Sequence, residues 1–308
     1  MLPQSSHFPH PHSVHSHWKR WFFILMLLLL YLFLLVSHVS GQRGTPWHWM
    51  HMHRALVSWT LVTVGTPPAA DSKTLALGKE VYRNNCTVCH GDAGKGDGRW
   101  ANYLTPRPRN FTRGIFRFKS TPSGTLPTDK DLFRTVSAGV NGTAMPSWQF
   151  VLPEKERWAV ASYLKTFSKY FAEEASGKPI VLTPQPDITP ERAARGEQIF
   201  RKNCVECHGP EGYGDGPSAW NMEDSFGDPI EPRNFHRVAE FKRGHTLGDI
   251  ALAVATGSDG TPMPSFSPLG KEDIWNVASF VMSLAEKKEE GSEPSGCCPM
   301  RMGMGMRM

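Results

Sequence analysis

GKEVYRNNCTVCHGDAGKGDG (Gly78–Gly98) and GEQIFRKNCVECHGPEGYGDG (Gly196–Gly216) align without a gap. The likeness continues downstream, where TVSAGVNGTAMPSW around Met145 matches AVATGSDGTPMPSF around Met263 at the same offset of 118 residues. His90 lies 55 residues before Met145, and His208 lies 55 before Met263. A repeat of this length is a duplicated domain, because each copy is long enough to enclose a core of its own. The stretch 171–190, with Pro179, Pro184, Pro186 and Pro190, reads as the linker between the copies.

Working outward, each copy predicts three helices. Asp71 or Ser72 caps the first, which runs to about Asn84 with Leu75, Val81 and Tyr82 inward; Ile199 and Phe200 repeat the last two positions. The middle helix carries Leu132 and Val136, matched by Ile250 and Val254, and stops near Gly139 and Gly257. The last follows Pro153, and its Trp158, Val160 and Tyr163 recur as Trp275, Val277 and Phe280. Three helices joined by long glycine- and proline-rich loops make a poor core unaided, so something must fill the centre.

Cys86-Thr87-Val88-Cys89-His90 and Cys204-Val205-Glu206-Cys207-His208 are both C-x-x-C-H, the pattern that attaches c-type haem. Two thiols about one helical turn apart reach the two vinyl groups, and the following histidine points at the iron. Two covalently attached haem c groups are expected, through Cys86, Cys89, Cys204 and Cys207, with His90 and His208 as fifth iron ligands. A thioredoxin-like pair or a zinc site also uses C-x-x-C, but neither explains the histidine or the duplicated methionine. Methionine most often fills gaps in a core. Here each methionine sits in a Gly-Thr-x-Met-Pro-Ser loop that proline stiffens and glycine lets approach closely. Met145 and Met263 are therefore expected as sixth ligands, whose neutral thioethers raise the reduction potential as suits an electron carrier.

On these motifs each copy resembles a class I cytochrome c domain, and the pair resembles two-domain dihaem cytochromes c, over residues 73–168 and 190–286. The resemblance implies an N-terminal helix crossing a C-terminal helix beside the haem, with Gly78 and Tyr82 meeting the Trp158 region and Gly196 and Phe200 the Trp275 region. A third repeated element, Pro108-Arg109-Asn110-Phe111 and Pro232-Arg233-Asn234-Phe235, offers Arg109 and Arg233 to the haem propionates. The bland reading is a solvated loop arginine. Arg113, Arg117 and Lys119 either do similar work or face water.

From Trp21 to Val39 the chain is almost wholly apolar and follows Lys19 and Arg20 directly. That is about the length that crosses a hydrocarbon core, with the basic flank held in the cytoplasm. An uncleaved anchor is expected, although the small residues around Val39-Ser40-Gly41 also suit cleavage of a signal peptide. His7, His10, His12, His15 and His17 precede it and are read as a disordered tail rather than a metal site. Trp47, Trp49 and Trp59 follow it, as expected where a chain leaves the membrane interface. At the far end CCPMRMGMGMRM, with Cys297 and Cys298, is either a disordered tail or a trap for a soft metal. Adjacent cysteines are poorly placed to bridge each other.

The expected fold is thus mainly α: two tandem cytochrome c-like helical domains behind one N-terminal transmembrane helix. Its parts are a cytoplasmic His-rich tail (1–20), the anchor (21–40), an irregular linker (41–70), domain 1 (71–170), the Pro-rich linker (171–190), domain 2 (191–287) and a Cys/Met-rich tail (288–308). The net charge of +5, from 34 basic and 29 acidic residues spread along the chain, gives no stripe for nucleic acid. The expected function is one-electron transfer on the periplasmic or extracytoplasmic side of the membrane, as subunit or partner of a membrane-linked oxidoreductase, rather than catalysis. The alternative is a dihaem peroxidase with one open iron; the retained methionine in both copies argues against it. A gas-sensing role lacks any accompanying output domain.

Overall fold

The computed structural model describes residues 57–286 and the single residue Met26. The His-rich tail, the rest of the anchor, Trp47, Trp49 and the terminal Cys297 and Cys298 lie outside the described residues. Among the described residues no helix is long and apolar enough to cross a membrane.

Each copy builds its long helices where the repeat places them. In the first, α1 spans Ser72–Asn85, α2 Thr87–His90, α3 Asp129–Ala138, α4 Glu154–Leu164 and α5 Tyr170–Glu173. In the second, α6 spans Pro190–Asn203, α7 Val205–His208, α8 Leu247–Thr256 and α9 Gly270–Glu286. Among the described residues there is no β-strand, and Glu223 and Pro229 form an isolated bridge. Asp71 caps α1 by accepting from the Thr74 N–H at 2.7 Å. Both middle helices start with a capping box, Thr128 with Asp131 and Thr246 with Asp249, which satisfies two orphan donors at each end. Those two carboxylates are fully buried, and further bonds secure them: Ser120 Oγ donates to Asp131 at 2.8 Å, and the Thr60 N–H and hydroxyl both donate to Asp249 at 2.9 Å.

Within each copy the first helix crosses the last, as the resemblance implies. A Cβ on Gly78 would run into the Ala159 carbonyl, and one on Gly196 into the Asn276 carbonyl, so only glycine lets the two backbones approach. Aromatic rings close the crossing: Tyr82 lies 5.6 Å from Tyr163 and Phe200 lies 5.1 Å from Phe280, centroid to centroid.

The two halves share one compact unit, and two loops of unequal length join them. The backbone carbonyl reached by His90 belongs to a residue 19 positions on, and that reached by His208 to one 25 positions on. The second copy therefore inserts six residues before its Pro-Arg-Asn-Phe element, and the first copy recovers the same number after its own. Each insertion grips the other half. From the second copy, Asp224 pairs with Arg117, and Phe226 packs under Arg109 and Arg113 at 5.1 and 4.6 Å. From the first, Ser123 Oγ and the Gly124 N–H donate to Asp259 at 2.7 and 3.0 Å, and the Lys119 ammonium sits 2.5 Å from the same carboxylate. Water-facing positions are thus wrong for Arg117 and Lys119; the Lys119 side chain is 1% exposed.

Trp59 also departs from expectation. Instead of marking a membrane interface, it is buried between the middle helices of the two halves. Its backbone N–H donates to the Arg243 carbonyl at 2.8 Å and its indole N–H to Thr135 Oγ at 3.0 Å. The guanidinium groups of Arg134 and Arg243 lie 5.1 and 5.3 Å from its ring. Trp59→Ala is expected to lose about 3–5 kcal/mol of stability, as for other large-to-small core changes. A shift below 1 kcal/mol in denaturant unfolding would show that the wedge is dispensable.

The stretch 171–190 touches both halves: Gly177 and Ile180 donate N–H groups to Leu126 and Ser120, and Trp275 donates its indole N–H to the Leu182 carbonyl at 3.0 Å. Residues 171–173 belong to α5.

Candidate functional site

Each Cys-x-x-Cys-His lies at a helix break. Cys86 ends α1, its N–H still bonded to the Tyr82 carbonyl at 2.8 Å, and α2 then carries the second cysteine and the histidine on one tight turn. Cys204, α6 and α7 repeat the arrangement. The turn directs both thiols and the imidazole into a cavity. Cys86, Cys89, His90 and Met145 line one of about 180 Å³, and Cys204, Cys207, His208 and Met263 line another of about 400 Å³. The structure thus brings together each set of four residues that the sequence singled out.

The histidines are oriented from behind. His90 Nδ1 donates to the Arg109 carbonyl at 3.1 Å, and His208 Nδ1 to the Arg233 carbonyl at 3.2 Å; a carbonyl only accepts, so the proton is on Nδ1. Nε2 keeps its lone pair, the state an iron ligand needs. Burial pushes His90 down to about 4, against the opposing pull of that carbonyl, and burial lowers His208 too. Phe111 and Phe235 stack on the two imidazoles at 4.6 Å, fixing the ring planes. Burial pushes the Cys86 and Cys204 thiols up to about 12, with the second cysteine of each pair adding to the effect.

The methionines sit in two copies of one closed turn. In the first, the Met145 N–H donates to Thr143 Oγ at 3.1 Å, the Thr143 hydroxyl to the Val140 carbonyl at 2.7 Å, and the Val140 N–H back to the Met145 carbonyl at 3.1 Å. Met263, Thr261 and Ser258 make the same three bonds. The Ser147 hydroxyl then ties the turn to the Ser137 carbonyl and Ser265 ties its copy to Ala255. At Gly139, with φ of 70°, an added Cβ would meet the Pro146 backbone at 2.5 Å, so the middle helix can hand over to this turn only through glycine.

The Pro-Arg-Asn-Phe element does more than the sequence suggested. Its arginine carbonyl and its phenylalanine ring hold the histidine, and its asparagine caps the next turn, Asn110 accepting from the Thr112 N–H and Asn234 from the His236 N–H. The Arg109 and Arg233 side chains line their cavities as expected. Burial pushes Arg109 down to about 10, helped by the positive charge of Arg117. Arg233 is lowered by burial while Glu240, at 2.9 Å, opposes the shift. A Phe-Lys pair follows each Pro-Arg-Asn-Phe element in the sequence, Phe118-Lys119 and Phe241-Lys242, and the structure places Phe118 and Lys242, like Arg117, in the lining of both cavities.

The donor set fits haem c: a thiol pair, a neutral imidazole, a thioether and an apolar lining, with Arg117 Nε and Arg243 Nε buried beside the cavities without a protein partner. Those two orphaned donors suit the carboxylates of the group. In comparison with known proteins, residues 73–164 match the family model "Cytochrome C oxidase, cbb3-type, subunit III" and residues 193–285 match "Cytochrome c". The chain is 28% identical over 170 residues to the cbb3-type cytochrome c oxidase subunit FixP of Bradyrhizobium diazoefficiens, covering 52% of this chain and 48% of that subunit. It is 33% identical over 93 residues to cytochrome c6 of Cyanidium caldarium, covering 30% of this chain and 71% of that protein. Among solved structures, a chain of the Kuenenia stuttgartiensis reducing HAO-like protein complex Kustc0457/Kustc0458 superposes with a TM-score of 0.67 at 39% identity, covering 72% of this chain and all of that one. The chain spans about half the length of the oxidase subunit it matches.

Proposed function

Since the chain belongs to the c-type cytochromes and carries two covalently bound haem c groups, we propose that it is a one-electron carrier within a membrane-linked oxidoreductase complex. Its haem domains would stand outside the cytoplasm, behind the anchor over 21–40. The observation that carries this reading is the identity of the two sites. In both copies a histidine fixed through Nδ1 and a methionine held in a closed turn line one cavity, which supports two closed, six-coordinate irons.

Each haem supplies a one-electron ferric/ferrous couple. Cys86 and Cys89, and Cys204 and Cys207, would hold the two groups. His90 and His208 would face iron from the side fixed by the arginine carbonyls, and Met145 and Met263 would supply the sixth donors. A neutral thioether favours the reduced state and leaves no position for a peroxide or gas. The buried lining limits water, so little reorganises when charge changes. Membership of a complex is supported by the likeness to an oxidase subunit and to a chain of an assembled HAO-like complex.

Optical spectra of the membrane-expressed protein, oxidised and reduced, test the reading. Two low-spin haems showing the weak sulfur-to-iron band, and unaltered by carbon monoxide or peroxide, are expected. A high-spin iron that binds peroxide would replace it with a dihaem peroxidase.

A further inference from the structure

Lys242 lines both cavities, and its ammonium has no ion pair among the described residues. Arg117 has Asp224 and Arg233 has Glu240, whereas the Lys242 ammonium makes no hydrogen bond or ion pair among the described residues. Its place is singular too. Arg117, Phe118 and Lys242 are the residues common to the linings of both cavities, and of the two charged ones Lys242 alone is unpaired. Nor does its backbone drift: the Lys242 carbonyl accepts the Asn141 N–H at 3.2 Å and the neighbouring Phe241 carbonyl accepts the Asn141 side-chain amide at 3.2 Å. Asn141 belongs to the stretch that leads from α3 into the Met145 turn, so a second-half lysine is pinned against the first half at the junction of the two sites.

Leaving a half-buried ammonium unpaired is costly unless a charge completes the site. Each cavity takes a haem, and each haem brings two carboxylates. We propose that Lys242 is a cation shared by the two haem sites, placed to compensate carboxylates of both groups, so that its charge shifts both reduction potentials together. The inference rests on the electron-carrier reading and adds to it a specific electrostatic link between the two centres. Burial is the largest influence that lowers Lys242; Arg233, Arg117 and Arg109 lower it further and Glu240 opposes them, so the protein's own groups bring it down to about 8, from which haem carboxylates beside it would raise it. A protonated Lys242 disfavours the more positive, oxidised state of both irons. Its loss of a proton therefore lowers both potentials as pH rises.

Spectrally monitored potentiometric titration of the full-length holoprotein tests this in the unmutated form, in Lys242→Gln and in Lys242→Arg. With Gln, both midpoints are expected to shift down by comparable amounts; with Arg, which keeps the charge, both stay near their original values. In the unmutated protein both midpoints fall together through one alkaline step, and that step is lost in Lys242→Arg, because guanidinium does not titrate there. A shift confined to one haem, no shift with Gln, or an alkaline step that survives in Lys242→Arg overturns the proposal. Should Lys242→Gln fail to load haem, the arginine variant decides alone. The same spectra report spin state, so a high-spin unmutated protein would remove the electron-carrier reading without bearing on whether the two midpoints move together.

Discussion

Met263→Ala is expected to turn one of two low-spin haems high-spin, to open that iron to carbon monoxide, and to lower its midpoint by roughly a few tenths of a volt within the ~0.8 V that axial ligands span. Met145→Ala does the same to the other haem. The closed turns make the result site-specific. Thr143 and Thr261 hold the backbone at each methionine independently of its side chain, so removing the thioether leaves the loop shaped and the rest of the cavity intact. The unaltered haem in each variant is the internal control. Retention of the sulfur-to-iron band at full intensity in either variant would mean that the methionine packs without binding iron.

Gly196→Val is expected to cost at least ~3 kcal/mol, the upper end for overpacking, because the obstacle is the α9 backbone rather than a side chain that can turn aside. The crossing of α6 and α9 frames the second cavity, with Phe200 and Val277 in its lining, so haem loading at Cys204 and Cys207 should fall with stability. Lys202→Val, on the exposed part of the same helix, keeps the helix and spares the crossing, and should stay within ~0.5 kcal/mol. Denaturant unfolding and a haem-to-protein ratio measure both effects. A Gly196→Val protein within 1 kcal/mol of the parent, with both haems, would show that the helices separate more easily than their contact suggests.

Much of this arrangement was legible in the sequence because it is local. Asp71, Gly139 and Gly257 act within a turn of where they stand, and Cys-x-x-Cys-His is one turn of helix by its own spacing. The crossing glycines were legible through resemblance, since nothing in their neighbourhood names Ala159 or Asn276 as the partner. What stayed hidden depends on residues far apart in the chain. The equal intervals of 55 residues from histidine to methionine concealed two compensating insertions, and with them the pairings of Arg117 with Asp224 and Lys119 with Asp259. Trp59 was misread for the same reason: a tryptophan shortly after an apolar segment fits a membrane interface, and only the fold supplies Thr135 and Arg243 as its neighbours. Arg109 and Arg233 were assigned through their side chains, while their carbonyls, which any residue would offer, hold the histidines.

The two insertions also bear on how fast charge can move through the molecule. Each half supplies a loop to the other, and the Trp59 wedge and the 171–190 segment are bonded to both, so the halves have no single hinge about which to swing. The gap an electron must tunnel across is then a constant of the fold instead of the closest point in a search. Exchange between the two centres should proceed without a conformational step, and solvent viscosity, which slows domain motion, should leave it unchanged.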